Sequence, residues 1–242
     1  HCRAGFEKEC AAEITDLANQ VGIYGFSKAK DDGAHVLYIT HEPDGALQLL
    51  RILKFHKFIF ARQWFASAGL INDLPVTDRV TPLLESARNL GETRELVIET
   101  VDTNAGKELS GLSKKFTAPF EKALRVASLV SAKSMMRLHL VFISGTQAYL
   151  GVSPLNNASP WPMGITRLRL PREAPSRATL KLEEAWHHFI AAEEWDERLA
   201  ASMRAVDLGA APGGWTWQLV QRGMFVEAVD NGPMDKGLME SG

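Results

Sequence analysis

Nothing limits the fold of this chain as tightly as the stretch Asp207-Leu-Gly-Ala-Ala-Pro-Gly-Gly-Trp215. The short apolar approach Met203–Val206 predicts a buried strand, and Thr216–Arg222 predicts the first turns of a helix that Gly223 ends. Met224–Val229 predicts a second strand, closed by Asp230. Strand, glycine loop, helix, strand and acid open a nucleotide-binding βαβ unit. The loop holds Gly209, three residues, then Gly213 and Gly214, so it is not the Gly-x-Gly-x-x-Gly loop of a dinucleotide site. No Gly-x-x-x-x-Gly-Lys-Ser/Thr is present, which argues against a triphosphate cradle. The first N–H groups of the helix lack internal partners and can meet a polar or anionic ligand group. Asp230 lies 21 residues after Gly209, the spacing of a carboxylate that accepts hydrogen bonds from two ribose hydroxyls. A helix N-cap is its plainer reading. Together these features predict an adenosine-type ligand without a triphosphate.

A chain of 242 residues has room for one large domain or two smaller ones. Its 45% apolar and 23% charged side chains are ordinary for a soluble globular protein. No apolar run reaches the roughly 18–20 residues of a membrane span, so no membrane partner is expected. Cys2 and Cys10 are too few for a disulfide framework or a four-cysteine zinc site, and a reducing, cytoplasmic location is expected. The sequence stops at Gly242, soon after the second strand of the βαβ unit. An open parallel sheet needs more strands to cover both faces, so the protein is expected to continue beyond it. The net charge of −2 conceals a basic middle, with net +4 over residues 61–170 against −1 over 1–60 and −5 over 171–242. Different partners are expected for different parts.

From the start, Gly5–Ala18 predicts an amphipathic helix with Phe6, Cys10, Ile14 and Leu17 at helical spacing. Gly22–Phe26 and Ala34–Ile39 predict strands about an Asp31-Asp-Gly33 turn, and Ala46–Leu53 predicts a second helix. With a strand near Cys2, this is a ferredoxin-like start. Arg51, Lys54, Lys57 and Arg62 interleave with Phe55, Phe58, Phe60 and Trp64. That pattern suits either nucleic acid or core aromatics with a solvated basic rim. Arg79–Leu90 predicts a helix, Glu95–Val101 a strand, and Lys107 to about Val130 a helical stretch kinked or broken at Pro119. Its basic residues, with Lys133 and Arg137 following, form either a solvated face or a phosphate-contacting one. Arg137–Ile143 and Gln147–Val152 predict a hairpin about Ser144-Gly-Thr146, and the proline-rich 153–178 a linker or irregular crossing. Ala178–Ile190 predicts a helix with Leu182, Ala185, Trp186 and Phe189 buried and Lys181, Glu184 and His188 on another side. A short acidic helix around Glu193–Arg198 follows. His187-His188 beside Glu193 lacks a third ligand at metal spacing, and no metal is expected.

Asp207–Thr216 resembles the S-adenosylmethionine loop of the heat-shock ribosomal RNA 2′-O-methyltransferases, and Ser176-Arg-Ala-Thr-Leu-Lys-Leu-Glu-Glu184 resembles their Ser-Arg-x-x-x-Lys-Leu segment. Arg3–Cys10, Phe60–Phe65, Ser110–Pro119 and Ala191–Leu199 extend the resemblance over the whole chain, to the ribosomal RNA large subunit methyltransferase M family. The resemblance implies an α/β and α+β architecture. A ferredoxin-like part (1–60) would precede a THUMP RNA-binding domain (61–165) and the opening of a Rossmann-like methyltransferase domain (166–242). It implies methylation of a cytidine 2′-hydroxyl in 23S rRNA before full subunit assembly, by a monomer, with S-adenosylmethionine as cofactor.

On that resemblance Lys181 is the first lysine of a Lys-Asp-Lys-Glu catalytic set whose other members fall beyond Gly242. Read without it, Lys181 is a surface partner of Glu183 or Glu184. Ala178, Ala211, Pro212, Gly213, Gly214, Trp215 and Asp230 are the expected cofactor contacts, with Trp215 either on the ligand or in the core. Relatives can carry Ser at position 178 and Cys at 211, so Ala178 leaves only its backbone for a polar contact. Lys107, Lys114, Lys115 and Arg62 are the candidate RNA contacts. A non-catalytic RNA-binding module with the same scaffold is the alternative reading, and a dinucleotide oxidoreductase is disfavoured by the loop spacing.

Overall fold

The computed structural model describes residues 1–240; Ser241 and Gly242, the last positions of the third predicted domain, lie outside the described residues. The chain forms two compact units, His1–Ile165 and Thr166–Gly242. In the first, α1 (Glu7–Gln20) starts two residues later than predicted, since Gly5 at φ +86 turns the chain into it. Gly22 at φ +74 turns it out again. The first strand is therefore β1 (Gly25–Ala29), not Gly22–Phe26. The hairpin turn reaches beyond Gly33, with Ala34 at φ +54, so β2 is Val36–Thr40. The two strands are antiparallel, with Phe26 opposite Ile39, and α2 (Gly45–Ile52) follows. Cys2 bridges Ala61, giving the order expected of a ferredoxin-like start. Ala18, Ile23, Leu49 and Leu53 form the core of this part.

The 51–64 stretch takes its plainer form. Phe55, Phe58 and Trp64 pack on one another at 5.0–6.3 Å between ring centroids, leaving Arg51, Lys54 and Lys57 as an exposed rim. Arg62 does not belong to that rim, because its guanidinium pairs with Asp102 at 3.1 Å.

The remainder of this unit is β3 (Ala66–Ile71), α3 (Val80–Arg88), β4 (Glu95–Thr100), α4 (Asn104–Glu108), α5 (Ser110–Val126), β5 (Met136–Phe142) and β6 (Ala148–Pro154). The strands form one sheet in the order β3-β6-β5-β4, in which only β4 and β5 run parallel. That pair needs a crossover, which α4 and α5 supply. Phe116, Phe120 and Leu124 recur at helical spacing on α5 and meet Leu83 of α3 and Leu138, Leu140 and Phe142 of β5 in the main core. The break predicted at Pro119 falls at Leu109 instead, and α5 runs through Pro119. Pro119 is exposed, so the carbonyl that loses its N–H partner there faces water.

Two further corrections concern polar groups. Arg137, grouped with the surface bases, is buried, with Nε 2.5 Å from Glu95 Oε1 and Nη1 on the Ser159 carbonyl. The start of the predicted linker is also no tether. Asn157 donates to the carbonyls of Leu50 and Leu53 and accepts from Phe55 N–H, while Gln63 donates to the Ser159 carbonyl. Side-chain amides satisfy this irregular backbone and hold it in the first unit.

The second unit contains α6 (Ala178–Phe189), α7 (Trp195–Arg198), β7 (Arg204–Leu208), α8 (Gly214–Gln221), β8 (Phe225–Val229) and α9 (Lys236–Glu240). Strands β7 and β8 pair in parallel, as the βαβ reading requires. β7 was expected to be buried, yet Val206 is 59% and Leu208 77% exposed, because the described sheet is two strands wide. The buried stripe of α6 is Thr179, Leu182 and Trp186; Phe189, predicted in that stripe, is exposed at the last turn of the helix.

Candidate active site

The loop between β7 and α8 is held from below. Asp207 is buried and its Oδ2 accepts from both the N–H (3.0 Å) and the hydroxyl (2.8 Å) of Thr216. This ties the end of the strand to the first turn of the helix. Gly213 caps α8 at φ +111, a conformation that favours glycine. A Cβ on Gly213 would stand 2.3 Å from Leu238, and one on Gly214 would stand 2.5 Å from Ser176 Oγ and 3.0 Å from the Thr179 nitrogen. The crowding that makes 213 and 214 glycine is thus with α9 and with the start of α6.

Ala178, Lys181, Ala211, Pro212, Gly214 and Trp215 all line one cleft of about 220 Å³. Gly213 does not, being buried beneath Leu238. Asp230 lies at the end of β8 and is fixed to the loop: Oδ1 accepts from Gly232 N–H and Oδ2 from Ala211 N–H, each at 2.8 Å. These bonds, Gly232 first and then Ala211, hold its carboxyl below the usual aspartate range. It is not a helix N-cap. Trp215 is 46% exposed rather than in the core, and its indole N–H donates to the Ala178 carbonyl at 3.1 Å.

Lys181 is exposed on the cleft, while Glu184 lies 4.0 Å from His188 Nε2. Among the described residues, Lys181 forms no salt bridge with Glu183 or Glu184, the two surface partners its plainer reading offered. Thr179 escaped the sequence reading. It is fully buried, and its hydroxyl donates to the Gly214 carbonyl at 3.0 Å, joining α6 to α8. The available signal was a polar β-branched residue at the head of the 179–182–186 stripe.

Among the described residues, the N–H groups of Gly214 and Trp215 at the first turn of α8 have no acceptor. A short loop with free N–H groups, a fixed carboxylate and an adjoining cleft fits a zwitterionic amino-acid tail and a ribose. S-adenosylmethionine has both parts. Ala211 and Gly214 would flank the methionine portion and Asp230 would take the ribose.

The candidate RNA contacts lie in the first unit. Lys107 on α4 and Lys114 and Lys115 on α5 are exposed, and only Arg62 is engaged in an ion pair. His187 packs on Trp195 at 4.7 Å. Among the described residues no group of three or more His, Cys, Asp or Glu is arranged to hold a metal ion. No described helix is long and apolar enough to cross a membrane.

Residues 1–65 match the RlmM ferredoxin-like domain, 78–154 the N-terminal region of ribosomal RNA large subunit methyltransferase M, and 174–241 the FtsJ-like methyltransferase. Over 242 residues the chain is 68% identical to ribosomal RNA large subunit methyltransferase M of Cellvibrio japonicus, covering all of this chain and 69% of that protein. It is 54% identical over 243 residues to the protein of that name from Pseudomonas fluorescens, covering 68% of it. TrmN from Thermus thermophilus aligns with 99% of this chain and 65% of its own, at 17% identity and a TM-score of 0.37.

Proposed function

The chain belongs to the ribosomal RNA large subunit methyltransferase M family, and from that premise we propose that it methylates the 2′-hydroxyl of a cytidine in 23S rRNA. Methylation of rRNA with S-adenosylmethionine follows from the family and its FtsJ-like unit. The ribose oxygen as acceptor, 23S rRNA as the target before subunit assembly, and action as a cytoplasmic monomer are the proposal. So is a division of labour in which 1–60 is a ferredoxin-like part, 61–165 a THUMP RNA-binding domain and 166–242 the methyltransferase portion. Lys107, Lys114, Lys115 and Arg62 would contact RNA phosphates in it.

The observation that carries this reading is the position of Lys181, on the same cleft as Ala178, Ala211, Pro212, Gly214 and Trp215. S-adenosylmethionine supplies a methyl group on a sulfonium. A ribose hydroxyl is a weak nucleophile until its proton is drawn away. Lys181, which lines the cleft, is the residue of this chain that would stabilise the developing alkoxide or share its proton. Asp230 and the first N–H groups of α8 would hold the ribose and the methionine end of the cofactor, which would supply the methyl group there.

The test is Lys181→Ala. Turnover on naked 23S rRNA is expected to fall at least about 100-fold, with S-adenosylmethionine affinity by calorimetry left near wild type. Resistance of the methylated site to alkaline cleavage reports a 2′-O-methyl group. Full activity in the variant, or an alkali-labile product, would overturn the reading.

A further inference from the structure

The β1–β2 ribbon has one face covered and one that stays partly open. On the covered face Ser27 Oγ meets Thr15 Oγ of α1 at 3.0 Å, and Tyr38 donates to the Ile23 carbonyl at 3.0 Å. Residues two apart on a strand share a face, so the opposite face carries Tyr24, Phe26 and Lys28 from one edge and Leu37, Ile39 and His41 from the other. The ladder reaches Tyr24, whose carbonyl accepts from His41 N–H at 2.9 Å. Leu37 packs against Val101, Val141 and Tyr149, which ends the open part at that point. Beyond it, Tyr24 is 60% exposed, Phe26 46% and Ile39 37%, and His41 is exposed. Lys28 Nζ stands 5.5 Å from the centre of the Phe26 ring. Gly25 makes the ribbon close at this place, since a Cβ on it would lie 2.3 Å from the Ile39 carbonyl oxygen.

Two exposed aromatic rings beside an aliphatic side chain form a large apolar surface for a position that sees water. Every outward residue of the ladder is aromatic, aliphatic or basic. The nearby acids, Asp31, Asp32, Glu42 and Asp44, stand in the turns at the two ends. Single-stranded nucleic acid is bound by this combination: rings on which bases stack, and cations for the backbone. Sheet faces with exposed aromatics are a recurrent way of holding unpaired bases of RNA. On a strand Tyr24 and Phe26 are about 7 Å apart, a spacing suited to two neighbouring unstacked bases.

We propose that Tyr24, Phe26 and Ile39, flanked by Lys28 and His41, are a base-stacking platform that grips an unpaired segment of the rRNA substrate. The platform rests on the reading of the protein as an rRNA methyltransferase, and it is distinct from the helix lysines Lys107, Lys114 and Lys115. It reads bases through their flat faces, so it favours single strands over duplex without demanding a sequence. Lys28 contributes to affinity through the phosphate backbone, and the rings contribute largely independently of salt.

The experiment is fluorescence anisotropy of a labelled single-stranded RNA oligonucleotide and of its duplex, with the whole protein at several salt concentrations. The double variant Tyr24→Ala/Phe26→Ala is expected to lose about 10- to 100-fold in single-strand affinity, from the strength of base–aromatic stacking. Its thermal unfolding and its binding of S-adenosylmethionine should match wild type. Tyr24→Phe and Phe26→Tyr, which keep the rings, are expected to bind as wild type does. Lys28→Ala should lower the slope of log affinity against log salt by about 0.7, and the ring variants should leave that slope unchanged. Wild-type affinity in the double variant, as a protein-docking face would give, would overturn the platform. So would equal preference for duplex, or an absence of single-strand binding in the wild type. Methyl transfer to naked rRNA, assayed on the same samples, reports separately: its absence in wild type sinks the enzymatic reading, whereas unchanged oligonucleotide affinity sinks only the platform.

Discussion

Thr179→Val removes one hydroxyl and nearly nothing else. The side chain is fully buried, and its Oγ1 donates to the Gly214 carbonyl at 3.0 Å. Valine keeps the shape but leaves that carbonyl without the donor. A net hydrogen bond contributes about 1 kcal/mol, and an acceptor left bare in a buried place costs about 1–3 kcal/mol, so the expected loss is about 1–2 kcal/mol. Denaturant unfolding should show this loss as a lowered midpoint. The bond also fixes the distance between the turn that carries Ala178 and the turn that begins α8, the two walls of the cleft. S-adenosylmethionine affinity by calorimetry should therefore weaken about 5- to 10-fold. Thr179→Ser is the control. It keeps the hydroxyl and loses a methyl group, so stability falls by about 1 kcal/mol while cofactor affinity stays near wild type. Equal cofactor affinity in the valine and serine variants would show that the hydroxyl does not set the cleft. Unchanged unfolding of the valine variant would refute the burial argument itself.

Gly214→Ala places a methyl group 2.5 Å from Ser176 Oγ and 3.0 Å from the Thr179 nitrogen. The start of α6 must shift, at about 1–3 kcal/mol, and cofactor titration should show at least a tenfold loss. Gly111→Ala on α5 meets nothing within 4 Å and should instead stabilise by about 0.5–1 kcal/mol. In the first unit, burial raises the Glu99 carboxyl, but the imidazoles of His1, 3.6 Å away, and His139, hydrogen-bonded to it at 3.1 Å, outweigh burial and hold the group far below the usual range. Burial likewise holds His139 below the ordinary imidazole value. Both groups resist protonation in the folded state, so both contribute stability at neutral pH. The histidine share declines as pH falls below about 6.5 and the glutamate share below about 4.3. Glu99→Gln should cost about 1.5–3 kcal/mol at pH 7 and flatten the acid side of a denaturant-midpoint profile. A variant with the wild-type acid limb would contradict this.

The βαβ unit was legible because its constraints are local. A glycine loop, a helix stop at Gly223 and an acid at strand end are imposed by backbone geometry within a few residues. The strand β4 was likewise readable from the polar–apolar alternation of Glu95–Val101. Pro119 misled because proline breaks helices on average, and whether it does so depends on which side meets water. Arg137 misled for a similar reason: a basic residue counts as surface until a buried carboxylate partner and a carbonyl meet it.

The amino-acid sequence by itself determined the family, the cofactor loop and the presence of Lys181 three residues past Ala178. Those follow from residue types at fixed separations, which no later folding can alter. Tertiary structure decided that Lys181 shares a cleft with a loop some 30 residues onward. It also decided that Gly213 and Gly214 are small for the sake of α9 and α6, that Asp230 is tied back to Ala211, and that Thr179 is a buried link rather than a surface hydroxyl. Burial and hydrogen-bond partnership between distant segments arise only when the chain packs, so nothing local in the sequence can state them.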